Sequence, residues 1–453
     1  MAVAKETLST YCNSLCESSI CELPIVDREI INHFNSLPLD YWDFVSYSKE
    51  YTHGIHTYPA MMIPPIPKNL INIVKSYQPQ VKNLVDPFLG SGTVLLEGLL
   101  AGMNAWGLDL NPLACLISKA KCTLIDPAVL KRANENILRN IGSCIGNNKL
   151  KVEKPNFYNI NYWFKEYVIR HLQIVKNQIK EVDDPDIRTL YWVAFSETVR
   201  DCSNTRNGEF KLYRISEDRL FSHNPSVLDI FKVNLDRCER GMAEFYDHYR
   251  GGGYKEILAQ DTRDFDLGEK MDLMITSPPY GDSRTTVAYG QFSRLSLQWL
   301  DLEEHDFVSS EIEKERLDKY LLGGVNEQTE NNLPSESLRK ALGKISKKDQ
   351  KRALDVLSFY IDLDKCISSI TKHMKINSYQ FWVVGNRTVR KTTIPTDKII
   401  SELGAQYNLK TIITVPRNIS SKRMPKKNSP SNEKGKKSPT MSKENIVVLR
   451  KVK

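Results

Sequence analysis

Long apolar runs and paired cysteines are both missing from this chain of 453 residues. No stretch of about 18 apolar residues, the length that a transmembrane helix needs, occurs in it. The N-terminus lacks the basic start and apolar core of a signal peptide. The nine cysteines include no CxxC pair, which argues against a disulfide framework and a structural zinc site. We therefore expect a cytoplasmic protein with reduced thiols, no membrane contact and no bound metal.

The composition is otherwise that of an ordinary folded protein. Hydrophobic residues make up 41% of the chain and charged residues 26%, which excludes wholesale disorder, collagen and coiled coil. The net charge of +8 is unevenly distributed, because the segment 421–439 alone contributes +6. A basic segment that contains Pro, Ser and Gly buries little apolar surface. We interpret it as a solvated loop that contacts a polyanion, with a solubilising linker as the alternative.

Two common nucleotide-binding motifs are incomplete or missing. The pattern GxGxxG lacks its third glycine, since position 95 is Leu, and no GxxxxGK[ST] occurs. These absences argue against NAD, FAD and a phosphate-binding P-loop. The segment 83–109 nevertheless predicts a strand, a glycine turn, a helix at 93–101 and a second strand. Such a βαβ unit indicates a parallel sheet with right-handed crossovers.

The glycine turn at 86–93, DPFLGSGT, has the properties of a cofactor site. Gly90 and Gly92 let the backbone turn tightly and approach a ligand closely, because no Cβ intrudes. The helix that follows directs free N–H groups at whatever lies there. Asp109 ends the second strand, where a carboxylate would accept hydrogen bonds from ribose hydroxyls. Together these residues predict a nucleoside-containing ligand.

Further strand signals complete an α/β fold with one sheet. The seven predicted strands are at 83–86, 105–109, 256–261, 271–277, 379–386, 409–417 and 444–450. The last two flank the basic segment, so 418–443 would be a long loop that joins an antiparallel pair. Helical blocks at about 124–250 and 288–370 interrupt the sheet.

The segment Ser277-Pro278-Pro279-Tyr280 directly follows a predicted strand. Each proline forces the residue before it into an extended conformation, and neither proline has an N–H to donate. The free carbonyls and the Ser277 hydroxyl become fixed acceptors at the carboxyl edge of the sheet, where open α/β sheets bind ligands. Two acceptors suit the two N–H bonds of an exocyclic amine, and the Tyr280 ring offers a face on which a base can stack. A rigid turn that packs an aromatic ring is the alternative.

With both segments in place, the chain resembles the DNA amino-methyltransferases that use S-adenosylmethionine. Within that family it looks like the cytosine-N4 subgroup of restriction–modification systems. The matching segments are THGIHTYPAMMIPPIP at 52–67, DPFLGSGT at 86–93, NPL at 111–113 and TSPPYGDSR at 276–284. The resemblance implies a seven-stranded, doubly wound, Rossmann-like sheet with an antiparallel last strand and helical insertions.

The resemblance also implies a role for each matching residue. Asp109 would hold the ribose of S-adenosylmethionine, and Asp261, at the end of the strand at 256–261, would meet its adenine amino group. The residues expected around the methionine part are Tyr58, Ala60, Met61, Asp86, Phe88, Gly90, Gly92 and Thr93. The catalytic residues expected to hold the target base are Ser277, Pro278, Pro279 and Tyr280. Tyr58, Met61 and Met62 have a second interpretation as core residues.

The implied reaction needs no covalent enzyme intermediate, because a neutral amine can attack a methyl group on positively charged sulfur directly. Cytosine-C5 transfer would need a cysteine nucleophile, typically after a proline, and no Pro-Cys pair occurs. The base would have to flip out of the duplex. In this family Ser-Pro-Pro-Tyr goes with cytosine N4, whereas Asp or Asn in the first position usually goes with adenine N6. Adenine N6, an RNA amine and an inactive nucleic-acid-binding protein are the alternatives.

Double-stranded DNA and a cognate restriction endonuclease are the partners that the resemblance implies, and the sequence leaves the oligomeric state open. The residues expected to contact DNA are Arg284, Arg387, Arg390, Lys391, Lys422, Arg423, Lys426 and Lys427. Two other basic blocks, 196–214 and 338–352, are candidates for reading the target sequence. Their alternatives are a packed loop and a solvated helix face, respectively.

The expected organisation is one catalytic domain with two insertions. Its parts are an N-terminal segment 1–50, a cofactor-binding part 51–123, a helical insertion 124–250, a catalytic part 251–287, a second helical insertion 288–370 and a C-terminal part 371–453 that contains the basic loop 418–443. Either insertion is a candidate for target recognition, since phosphate contacts alone carry no base information.

Overall fold

A central β-sheet organises the chain. The computed structural model describes residues 23–206, 208–282, 286–302, 307, 316–324, 330–419, 427–428, 438–439 and 441–453. Its strands are β1 (Asn83–Asp86), β2 (Asn104–Leu108), β3 (Lys255–Leu258), β4 (Met271–Thr276), β5 (Met374–Val384), β6 (Thr388–Val389), β7 (Thr392–Thr393), β8 (Leu409–Asn418), β9 (Lys427–Asn428), β10 (Ser438–Pro439) and β11 (Lys443–Lys451). Seven of them form one sheet in the order β3-β2-β1-β4-β5-β11-β8, while β6–β7 and β9–β10 are separate pairs.

The large sheet is parallel from β3 to β5. β1 pairs in parallel with β2 and β4, β2 with β3, and β4 with β5. β11 inserts between β5 and β8 and runs antiparallel to both. The prediction of a seven-stranded α/β sheet with an antiparallel last strand is therefore confirmed. The short pair β9–β10 lies within the segment 418–443 that the sequence predicts as a loop.

Several helices begin at a residue whose side chain caps them. Three of them start with an Asn or Asp whose side chain accepts backbone N–H groups, followed by a proline, as in Asn111-Pro112, Asp126-Pro127 and Asp184-Pro185. The helices are α1 (Ile25–Ser36), α2 (Pro65–Tyr77), α3 (Thr93–Leu100), α4 (Pro112–Lys121), α5 (Pro127–Gly146), α6 (Ile160–Trp163), α7 (Glu166–Lys180), α8 (Pro185–Cys202), α9 (Glu217–Ser222), α10 (Val227–His248), α11 (Tyr289–Trp299), α12 (Leu317–Tyr320), α13 (Glu336–Ser346), α14 (Gln350–His373) and α15 (Thr396–Ala405), with a 3₁₀ turn at Tyr51–Gly54.

Helices cover both faces of the sheet, as a doubly wound fold requires. Neighbouring residues of β1 show the two faces, since Leu84 packs into a cluster with α1 and α2 while Val85 packs into a cluster with α13, α14 and α15. The face of Leu84 continues across Ala105 into a third cluster, built largely by α4, α5, α7, α8, α10 and α11. The first helical block thus extends one face of the sheet, and much of the second block covers the other.

Features that would indicate a membrane protein or a metalloprotein do not occur in the described part of the chain. No helix there is long and apolar enough to span a bilayer. The same residues contain no group of three or more His, Cys, Asp or Glu side chains that could hold a metal ion. Their cysteines are free thiols, and most of them are buried.

Candidate active site

The glycine turn joins the end of β1 to the start of α3. Gly90 and Gly92 adopt left-handed φ values of 51° and 74°, which residues with a Cβ rarely accept. A Cβ on Gly92 would lie 2.7 Å from Ser118 Oγ in α4. The turn is therefore as tight as the sequence predicts, and its close approach to α4 explains why glycine is required at position 92.

Asp109 ties this turn to the end of β2. Its Oδ2 accepts the Gly90 N–H at 2.9 Å, and its Oδ1 accepts the Asn111 N–H at 2.8 Å. Burial raises the pKa of the Asp109 carboxyl to about 6, against these hydrogen bonds that lower it. A carboxylate offers about four acceptor positions, so Asp109 retains capacity for hydroxyl groups of a ligand.

Asp86 connects the glycine turn with the strand that carries Ser-Pro-Pro-Tyr. Its Oδ1 accepts the Thr276 hydroxyl at 2.6 Å and the Phe88 N–H at 3.1 Å. Thr276 ends β4, and β1 and β4 are neighbours in the sheet, so both motifs leave from adjacent strand ends. Burial raises the pKa of the Asp86 carboxyl to about 7. The structure therefore brings the two motifs to one place at the carboxyl edge of the sheet.

The Ser-Pro-Pro-Tyr segment has one internal side-chain hydrogen bond and one to the last strand of the sheet. Ser277 Oγ lies 3.2 Å from Tyr280 Oη, and Tyr280 donates to Glu444 Oε1 at 2.9 Å. Pro278 is buried, while Ser277, Pro279 and Tyr280 are half-buried. The Tyr280 ring lies beside Gly385, where a Cβ would come within 3.0 Å of Tyr280 Cδ2. The serine hydroxyl and the ring remain partly accessible from the edge of the sheet.

The upstream segment 52–67 packs onto the glycine turn through Tyr58. Its hydroxyl accepts a hydrogen bond from Asn111 Nδ2 at 3.0 Å, and Asn111 also donates to Ser293 Oγ of α11 at 2.8 Å. Tyr58 is buried, so its second interpretation as a core residue also holds. Ala60 is exposed with a left-handed φ of 52°, and Met61 is half-buried against the helical core.

Asp261 differs from the expectation in one respect. The sequence predicts it at the end of a strand at 256–261, but β3 ends at Leu258, three residues earlier. Asp261 instead forms an ion pair with Arg263, in which Oδ2 lies 2.9 Å from Nε. The residue between them, Thr262, donates to the Pro87 carbonyl at 2.5 Å, which places Asp261 beside the glycine turn.

Comparison with known proteins decides the family. The chain is 46% identical over 423 residues to the type II methyltransferase M.MvaI of Kocuria varians, a match that covers 89% of this chain and 92% of that protein. This chain belongs to the type II methyltransferases. A second relative, the type II methyltransferase M.MjaII of Methanocaldococcus jannaschii, is 29% identical over 124 residues, which is 26% of this chain and 23% of that protein. The chain matches no protein-family model and no solved structure.

The family establishes the general activity. This methyltransferase is a site-specific DNA methyltransferase of a restriction–modification system, so DNA is its substrate and a restriction enzyme its functional counterpart. Members of the family generally use S-adenosylmethionine. The family does not by itself identify the methylated base or the residues that bind the cofactor.

The predicted DNA-contacting residues of the methyltransferase fall into different environments. Arg387 is 12% exposed and forms an ion pair with Asp282 at 3.4 Å, close to the Ser-Pro-Pro-Tyr segment. Arg390 and Lys391 are exposed and form the tip of the β6–β7 hairpin, with left-handed φ values of 47° and 60°. Arg390 pairs with Asp349 at 2.6 Å. Arg284, Lys422, Arg423 and Lys426 lie outside the described residues, and Lys427 is described only as part of the backbone of β9.

The two further basic blocks, 196–214 and 338–352, each contain residues that pack against other parts of the chain. In 196–214, Arg200 is buried and stacks over the Phe292 ring at 4.0 Å, so it is packed as the alternative predicts, although it lies in α8 and not in a loop. Arg206 in the same block is exposed. In 338–352, Lys348 donates to the Arg390 carbonyl at 3.0 Å, so this block packs against the β6–β7 hairpin instead of lying apart from it.

Three residues that hold the site together lie outside every motif visible in the sequence. Glu444 of β11 accepts the Tyr280 hydroxyl, Arg417 of β8 pairs with Glu444, and Arg263 holds Asp261. Neither Glu444 nor Arg417 belongs to a local motif. Their pairing would have required the register of β8 against β11, in which Glu444 lies opposite Arg417.

We expect Asp86→Asn to make the free energy of unfolding less dependent on pH. The unfolded carboxyl has a pKa near 3.8 and the folded one about 7. Between these values the folded chain binds more protons, so wild-type stability falls as the pH rises through about 7. An amide stays neutral, and its oxygen still accepts from Thr276 and Phe88. Denaturant unfolding between pH 5 and pH 8 should show that the free energy of unfolding of the variant rises relative to that of the wild type as the pH increases.

The matched control is Asp126→Asn, at the exposed N-cap of α5, because Asn caps a helix as well as Asp does. This control should leave the pH dependence unchanged. If Asp86→Asn loses stability with pH as steeply as the wild type, the buried carboxyl does not carry the effect.

Proposed function

We propose that this methyltransferase transfers a methyl group from S-adenosylmethionine to the exocyclic N4 amine of a cytosine flipped out of a specific double-stranded DNA sequence. The observation that carries the proposal is the 2.6 Å hydrogen bond between Thr276 and Asp86, which joins the Ser-Pro-Pro-Tyr strand to the glycine turn. Because these motifs leave adjacent strand ends, a donor at one would face an acceptor at the other.

The residues around the turn fit a nucleoside cofactor with a positive charge. Gly90 and Gly92 leave the backbone open, and the carboxyls of Asp86, which is buried, and Asp109, which is half-buried, supply acceptors. Phe88 and Thr93 border the same turn, and Tyr58 covers it. Asp261 and the segment of Ala60 and Met61 complete the proposed set. When bound, S-adenosylmethionine supplies a methyl group on a positively charged sulfur.

The proposed catalytic residues act by holding the amine. Ser277 Oγ and the Pro278 carbonyl would accept its two N–H bonds, and Pro279 keeps that carbonyl in an extended segment with no competing N–H. Acceptors out of the base plane localise the nitrogen lone pair towards the methyl group. Stacking on Tyr280 would return about 1–3 kcal/mol of the few kcal/mol that flipping costs.

Cytosine N4 is favoured over adenine N6 by the serine at the first position of the tetrapeptide. This preference rests on the resemblance to the cytosine-N4 subgroup, and the same two acceptors would also hold an adenine amine. In the cell the enzyme would modify DNA in the cytoplasm and protect it from its cognate endonuclease. The two helical insertions, at 124–250 and 288–370, are the proposed sources of target recognition.

Sequencing DNA from a host that expresses the chain tests the proposal, if the method distinguishes N4-methylcytosine from N6-methyladenine. We expect N4-methylcytosine at one recurrent sequence, and none in a host that expresses Ser277→Ala. N6-methyladenine at a recurrent sequence would select the adenine alternative. Unmodified DNA together with a newly methylated host RNA would select the RNA alternative.

Neutralising Lys426, Lys427, Lys436 and Lys437 with glutamine should weaken DNA binding about equally for all sequences. Each lost phosphate contact lowers the slope of log K against log salt by about 0.9, so the salt dependence should become clearly flatter. Binding titrations at several salt concentrations, on target and non-target duplexes, measure both effects.

The control replaces Lys82, Lys270, Lys372 and Lys410, which are exposed near the amino ends of the parallel strands and of β8. That change removes the same charge at the opposite edge of the sheet and should leave the slope nearly unchanged. If the affinity falls for one recognition sequence only, the basic segment recognises bases and not the phosphate backbone alone.

A further inference from the structure

A line of polar contacts continues from the Ser-Pro-Pro-Tyr segment into the last strand of the sheet. Ser277 Oγ lies 3.2 Å from Tyr280 Oη, and the Tyr280 hydroxyl donates a hydrogen bond to Glu444 Oε1 at 2.9 Å. Arg417 donates to the other carboxylate oxygen of Glu444. Glu444 is 13% exposed and Arg417 6%, so the far end of the line is largely shielded from water.

The carboxylate fixes the direction of every hydrogen bond in this line. An ionised carboxylate only accepts, so the single proton of the Tyr280 hydroxyl points to Glu444. The Tyr280 oxygen can then only accept from Ser277, and the Ser277 proton is committed to that bond. The lone pairs of Ser277 Oγ are consequently left for another donor.

Arg417 supplies the opposite charge beside the Glu444 carboxylate. Its Nε donates to the Trp42 carbonyl at 2.9 Å, and its Nη1 faces Glu444, directly opposite on the neighbouring strand. A largely buried carboxylate without a partner charge would be costly, and the guanidinium supplies that charge. Asp43, the next residue after Trp42, accepts the Asn418 N–H at 2.7 Å and so fixes the end of β8.

We propose that Glu444 is a positioning residue for methyl transfer, which orients the Tyr280 and Ser277 hydroxyls so that Ser277 Oγ presents a lone pair to the amine of the target base. The inference rests on the proposed function, because it requires an amine against Ser277. As the amine nitrogen bonds to the methyl carbon, the carbon–sulfur bond breaks and its electron pair stays on sulfur. The nitrogen gains positive charge, which the Ser277 lone pair stabilises through the N–H, and the surplus proton passes to water.

Two conservative variants and their combination test this role. Glu444→Gln removes the acceptor-only end of the line, and Tyr280→Phe removes the hydroxyl but keeps the ring. Each should lower the single-turnover rate about 10- to 100-fold, the worth of a hydrogen bond to a charged group. The KM for DNA and the affinity for S-adenosylmethionine should change little. Both variants interrupt the same line of hydrogen bonds. The single-turnover rate of the double variant should therefore be no lower than that of the slower single variant.

The control is Glu402→Gln, a half-buried carboxylate that accepts the hydroxyls of Ser335 and Ser337 away from the site. It should transfer methyl groups at the wild-type rate, and thermal unfolding of all variants reports their folding. The inference is overturned if Glu444→Gln reacts at the wild-type rate, if only its KM values rise, or if the two losses multiply in the double variant. Should Glu444→Gln not fold, Tyr280→Phe alone decides, and an unchanged rate overturns the inference.

These results are separable from failure of the proposed function. A wild-type enzyme that methylates adenine N6 contradicts the cytosine assignment but leaves the Glu444 comparison valid, since the acceptor is again an amine. A wild-type enzyme with normal transfer and an unaffected Glu444→Gln variant contradicts the positioning role alone.

Discussion

Replacing Tyr280 with alanine is expected to lower kcat at least about 100-fold. In the proposed site the ring would provide a stacking face worth about 1–3 kcal/mol, and its hydroxyl forms a hydrogen bond to a carboxylate worth about 1.5–3 kcal/mol. Each 1.4 kcal/mol corresponds to about tenfold in rate. The affinity for S-adenosylmethionine should change less than about threefold, because the glycine turn belongs to a different strand end. Single-turnover kinetics and a cofactor-binding titration measure the two quantities separately.

Tyr254→Ala serves as the control for this prediction. Tyr254 is 55% exposed and precedes β3 at the amino edge of the sheet, so its removal should leave the rate unchanged. Equal losses of rate and of cofactor affinity in Tyr280→Ala would contradict the assigned role, since they would indicate that the whole site has collapsed.

The second large effect is expected from Gly92→Ala. Its left-handed φ of 74° costs about 1–2 kcal/mol for a residue with a Cβ. The added Cβ would also lie 2.7 Å from Ser118 Oγ and 2.8 Å from Ser118 Cβ, and such overpacking costs about 1–3 kcal/mol. We expect the free energy of unfolding to fall by about 2–5 kcal/mol and cofactor affinity to fall at least about tenfold. Denaturant unfolding and the cofactor titration check both.

Gly102→Ala separates the two causes. Gly102 has a similar φ of 71°, but its added Cβ would meet no heavy atom within 4 Å. This variant therefore incurs only the backbone cost, and cofactor affinity should be retained. Equal destabilisation of both variants would show that the approach to Ser118 is not what requires glycine at position 92.

Much of the fold and the meeting of the two motifs could be predicted because they follow from local patterns. Buried parallel strands are near-continuous apolar runs, as in β4, and such runs are visible in a sequence. The ends of parallel strands share one edge of a sheet, so the glycine turn and Ser277 had to emerge together. The antiparallel last strand could be predicted because the sequence between it and β8 is basic and contains Pro, Ser and Gly, with no helical pattern.

The remaining features depend on contacts between distant segments, which no local pattern encodes. Tyr280 and Glu444 are 164 positions apart, and their hydrogen bond depends on the register of β11. Asp261 and Arg387 have the right charges near the right edge, but Arg263 and Asp282 pair with them. A sequence shows that a charged side chain is present, but the tertiary structure determines which residue pairs with it.

The insertion of β11 between β5 and β8 has a consequence for how the enzyme is made. Until residues 443–451 leave the ribosome, β8 has no neighbour in the sheet and Tyr280 lacks the carboxylate that accepts its hydrogen bond. The parallel portion can assemble during synthesis, since its strands are complete by Val384. The proposed catalytic edge is completed last, so a chain cut short before β11 would carry the glycine turn beside an unfinished Ser-Pro-Pro-Tyr site.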